Sequence, residues 1–79
     1  MDEEVAVVLE AVTIREIQRI FEVTDALGIH REMLVIPLRP RHPGRVRKMA
    51  GGKIEIVVEA EGAFEDWVAG LTEEIRKLT

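Results

Sequence analysis

Covalent catalysis needs an activated Ser, Cys, Thr or Lys beside a base, and this sequence contains neither Ser nor Cys. Its threonines, Thr13, Thr24, Thr72 and Thr79, fall at predicted helix ends and surfaces. Metal chemistry needs His and carboxylate ligands at defined spacing. His30 and His42 stand twelve positions apart in predicted loops, with no H-x-x-x-H or H-x-H pattern. The carboxylate pairs Glu65-Asp66 and Glu73-Glu74 are adjacent on a predicted helix, where neighbouring positions do not face each other. Gly51-Gly52-Lys53 lacks the spacing of a phosphate-cradling P-loop and fits a hairpin turn instead. The expectation is a chain with no catalytic residue, no metal ligand and no cofactor, and hence not an enzyme.

One group of residues does stand out. The stretch "RPRHPGRVRKMAGGK", Arg39 to Lys53, holds six of the 11 Lys and Arg residues and no acid. Arg39, Arg41, Arg45, Arg47 and Lys48 lie among prolines that hold the tract extended. They are candidate contacts to a nucleic-acid backbone or to an acidic partner surface. The competing reading is a solvated loop that balances acidic helices. Phosphate contacts of this kind supply affinity and salt dependence, not sequence readout, and no exposed aromatic pair is predicted to stack on bases. From Gly28 to Lys53 the formal charge is +6 and over the remainder it is −10, so the net charge of −4 conceals a strong separation.

The elements that must position this run follow from periodicity. "EVAVVLEAV", Glu4 to Val12, alternates as a strand with Val5, Val7 and Leu9 on one side. The alternative is one helix from Asp2 to Leu27. Thr13 followed by Glu16 has the form of a capping box, and Ile14, Ile17, Ile20, Phe21, Val23, Thr24 and Leu27 form a helical stripe ended by Gly28. "MLVIPLR", Met33 to Arg39, reads as a strand in which Pro37 points to an edge or a bulge. "KIEIVVEA", Lys53 to Ala60, is the clearest strand. Ile54, Ile56, Val58 and Ala60 share its packed face, and Glu55, Val57 and Glu59 its largely wet face. Gly51-Gly52 suits a two-residue turn, which makes Arg45 to Ala50 a partner strand. Phe64, Trp67, Val68, Leu71, Ile75 and Leu78 make the stripe of a last helix. "TIREIQRIFEVTDALGI" fails as a helix-turn-helix, because its second helix would carry Gly28 and few basic residues.

The predicted fold class is therefore α/β, a β-α-β-β-α two-layer sandwich with a small, mostly antiparallel sheet and both helices on one face. With 79 residues the chain makes one domain, 1–79, whose modest core favours oligomerisation. In the leading strand, Ala6, Val8 and Val12 lie opposite the core-facing set and would form an apolar dimer or partner face. An acidic start without a signal-peptide layout, no Cys and no long apolar run lead to the expectation of a cytoplasmic, non-membrane protein. Depletion of Asn, Gln and Cys with one-third charged residues fits a thermophile, or a biased genomic base composition.

The order of elements, together with "VAVVLEA", "TIREIQRIF", "IPLRPR" and "GGKIEIVVEAEGAFEDWVAGLTEEIRKL", resembles the small dimerising subunit of the archaeal KEOPS complex, which makes threonylcarbamoyladenosine on tRNA. The last helix departs from that family in having Val68 and Thr72 where an Arg and an Asn are usual. The RNA polymerase L-type dimerisation subunit shares the element order and is similar more faintly. Both resemblances imply a non-catalytic, homodimeric assembly subunit that docks on a larger protein, and the first implies tRNA modification as its context. The alternative from the residues alone is a stand-alone RNA- or DNA-binding module that uses the basic loop.

Overall fold

The computed structural model describes residues 9–78. Helix α1, Ile14–Ala26, starts where the capping box predicts: the backbone N–H of Thr13 donates to Glu16 Oε1 at 2.8 Å. It ends in a Schellman motif. Gly28 takes φ 76°, its N–H donates to the Asp25 carbonyl, and Ile29 N–H donates to the Thr24 carbonyl at 3.0 Å. The helix does not extend back through Leu9–Thr13, which excludes the single helix from Asp2 to Leu27. The strand expected at Glu4 to Val12 lies mostly outside the described residues, and its last four residues run as irregular backbone. They are held by Leu9 N–H to the Ala60 carbonyl (2.7 Å) and Val12 N–H to the Leu38 carbonyl (2.9 Å).

Strands β1 (Leu34–Val35), β2 (Arg45–Lys48) and β3 (Ile54–Val57) form a mixed sheet in the order β1-β3-β2. β1 runs parallel to β3 and β2 antiparallel to it. β1 is an edge strand and much shorter than the expected one; Pro37, two residues beyond its end, has no N–H to continue the ladder. The β2–β3 hairpin turns through three residues, Ala50, Gly51 and Gly52, instead of two. Met49 N–H closes it by donating to the Lys53 carbonyl at 2.7 Å. Gly51 and Gly52 adopt φ 84° and 85°, conformations in which a Cβ is strained.

The last helix is divided. α2 (Phe64–Ala69) and α3 (Leu71–Arg76) meet at Gly70, whose N–H bonds the Trp67 carbonyl in a tightened turn. The stripe nonetheless survives the break, and Val68, Leu71 and Ile75 are all buried. They pack with Ile20 of α1 and with Ile54, Ile56 and Val58, so the helices cover one face of the sheet, as expected for this α/β class. Val12 belongs to this core at 5% exposure and so cannot serve an exposed partner face. Ala6 and Val8 lie outside the described residues. Thr24 is fully buried, its hydroxyl satisfied by the Phe21 carbonyl at 3.3 Å. No described helix is long and apolar enough to cross a membrane.

Candidate anion-binding cleft

The pleat of β2 sorts the basic run. Arg45 and Arg47 stand opposite Val57 and Glu55 in the antiparallel register, so all four side chains share the face turned away from the helices. Val46 and Lys48 stand opposite Ile56 and Ile54 and point to the helix side. Lys48, expected to act with the arginines, is thereby separated from them by the sheet.

Across β3 the opposite wall is built by the segment after β1. Arg41 rejoins the sheet: its N–H donates to the Val58 carbonyl at 3.0 Å, and its carbonyl accepts from Ala60 N–H at 2.9 Å. Arg41 thus pairs in parallel with Glu59, and Arg39 lies two residues before it. Arg39, Arg41, Arg45 and Arg47 converge on one cleft of about 440 Å³. Val57, buried at 7% exposure, forms its floor, with Pro37 and Pro43 on the walls. The face of β3 expected to be largely wet is thus a partly covered, basic surface.

Glu59 holds the wall in place. Its Oε1 accepts from Gly44 N–H at 2.9 Å, and its Oε2 accepts from Glu61 N–H at 3.1 Å and meets His42 Nδ1 at 2.5 Å. Chiefly the Gly44 amide, with His42 and then Glu61, holds its pKa at about 2. The same pairing, reinforced by Glu61 at 3.9 Å from Nε2, pushes the His42 pKa up. The loop passes so close to β3 that a Cβ on Gly44 would lie 2.6 Å from Glu59 N and 2.8 Å from the Val57 carbonyl oxygen. Only glycine fits there.

One carboxylate enters the cleft: Glu55 pairs with Arg47 at 2.5 Å. Arg39, Arg41 and Arg45 have no side-chain hydrogen bond or ion pair among the described residues. Guanidinium groups stay charged at any physiological pH and present forked donors suited to phosphate oxygens. The cleft can therefore hold anions.

Elsewhere, two further depressions hold charged side chains that are paired. Around the end of α1, a shallow depression of about 550 Å³ includes His30, and its Arg31 is paired with Asp25 at 2.7 Å and stacked on Phe21. Between α1 and α2, Arg19 binds both Glu22 and Glu65. Among the described residues, no group of three or more His and carboxylate side chains is placed to hold a metal ion. Sequence reasoning found the arginines but missed Glu55, Glu59 and His42. The usable signal was the alternation of 55, 57 and 59 opposite the core face.

Comparison with protein-family models, with curated proteins and with solved structures finds no match.

Proposed function

We propose that this chain is a nucleic-acid-binding module that grips the sugar–phosphate backbone in the arginine cleft and acts by binding, not catalysis. The observation that carries this reading is the convergence of Arg39, Arg41 and Arg45 on one cleft without carboxylate partners. Three unpartnered guanidiniums held together repel one another, and an anion with several charged groups relieves that repulsion. A polymer of phosphates matches cations spread along two walls better than one small anion does. The reading as a homodimeric assembly subunit has less support, because Val12 of its expected partner face is interior.

Fluorescence anisotropy with a labelled oligouridine tests the proposal. The wild type is expected to bind at low salt, and Arg39→Ala/Arg41→Ala/Arg45→Ala to lose at least about a hundredfold in affinity. Equal binding by a triple variant with unchanged circular dichroism would overturn it, as would a wild type that does not bind.

A further inference from the structure

The dimensions of the cleft restrict what kind of nucleic acid can enter it. Arg45 and Arg47 form one row on β2, and Arg41 faces them from the segment paired to the opposite edge of β3, with Arg39 in the bend just before it. Two strand spacings separate Arg41 from β2, about 10 Å, and Arg45 and Arg47, two apart along a strand, are about 7 Å apart. The floor between the two sides is β3 itself, with Val57 recessed below the guanidiniums. A duplex is a stiff convex cylinder much wider than this gap. It would ride on the rims and leave the floor empty, engaging one side at a time. A single strand is narrow and flexible, and it can descend between the sides with successive phosphates turned to either one.

The aromatic residues say how such a strand would lie. Phe64 packs on Trp67 with ring centroids 5.8 Å apart, and Phe21 is covered by Arg31. None of them lines the cleft. A strand in the cleft meets no Phe or Trp platform, and His42 and the arginines that line it offer only sequence-tolerant surfaces, so its bases are left unread and its backbone is what the cleft grips. Glu55 closes off Arg47 with its own carboxylate and keeps phosphate toward Arg39, Arg41 and Arg45.

From this geometry we infer that the cleft is specific for single-stranded nucleic acid, excludes duplex, and is indifferent to base composition. The inference rests on the nucleic-acid reading above. The test compares labelled oligouridine and oligoadenosine with an RNA duplex of the same length at matched salt. Both single strands are expected to bind within about threefold of each other and at least about tenfold tighter than the duplex. Arg41→Ala and Arg45→Ala, one from each side, should each weaken single-strand binding about tenfold. Lys48→Ala, on the helix side of the same strand, should change it less than about twofold. Duplex binding as tight as single-strand binding would overturn the inference and leave the nucleic-acid reading standing. So would a Lys48→Ala loss equal to that of Arg45→Ala. No binding of either form would overturn both.

Discussion

Glu59 connects the chemistry of one side chain to the shape of the cleft, since its two oxygens tie Gly44, Glu61 and His42 to the end of β3. Its side chain is only 16% exposed, and its folded pKa is about 2 against an ordinary value of 4.5. A depressed carboxylate stabilises the fold above its unfolded pKa and loses that contribution as pH falls toward its folded pKa. Urea unfolding should therefore show stability falling by on the order of 2 kcal/mol between pH 4.5 and about 2, a fall that Glu59→Gln abolishes. His42 has the opposite sign. Its raised pKa makes its pairing fully effective below 6.5 and lost as pH rises through the folded value. In Glu59→Gln the His42 titration followed by NMR should move back toward 6.5; an unmoved titration would show that Glu59 does not set it. None of this was legible in the sequence. His42 and Glu59 are seventeen positions apart, and nothing local in either segment announces the contact.

Local signals were legible where they are strong and were overridden where they are weak. The capping box and the Gly28 stop place α1 to within a residue, because each satisfies particular orphaned backbone groups. Alternation identified β3, and the strand before Pro37 does lie on an edge, though it ends two residues short of the proline. The break at Gly70 was not legible. A single glycine costs only about 1 kcal/mol in a helix, too little to separate a break from a tolerated residue. Val12 was misplaced because an alternating pattern assigns faces only if the segment is a strand. Gly70 also offers a test at this scale. Its φ of −93° is open to any residue, and the nearest atom to an added Cβ is the Trp67 carbonyl oxygen at an ordinary 3.7 Å. Gly70→Ala should therefore stabilise the domain by about 0.4–1 kcal/mol, chiefly by restricting the unfolded chain, with an upward shift of the thermal midpoint. A destabilised variant would mean that the break needs a conformation only glycine supplies.

For the molecule as a whole, the two layers of the fold divide the charge that the sequence showed to be uneven. The sheet face opposite the core carries the arginines, while α1, α2 and α3 carry Glu16, Glu65, Asp66, Glu73 and Glu74 in their first turns. A negatively charged polymer is thus attracted to one face and repelled from the other, which orients its approach even though the net charge is −4. The helix acids and the cleft lie on opposite sides of the core, and salt screens charges that far from direct contact, so their repulsion is felt mainly when salt is low. On the proposed function, contacts in the cleft would be direct and would displace counterions from the strand. For three to four neutralised phosphates the slope of log K against log salt on a single strand is about −2 to −3. Arg41→Ala should make that slope shallower by about 0.7 at every salt concentration. Glu73→Gln/Glu74→Gln should raise affinity severalfold at low salt, converge on the wild type at high salt, and leave the contact count implied by Arg41→Ala unchanged. If the helix substitutions instead altered affinity equally at high and low salt, the strand would be touching the helical face, and the division of labour between the two layers would be wrong.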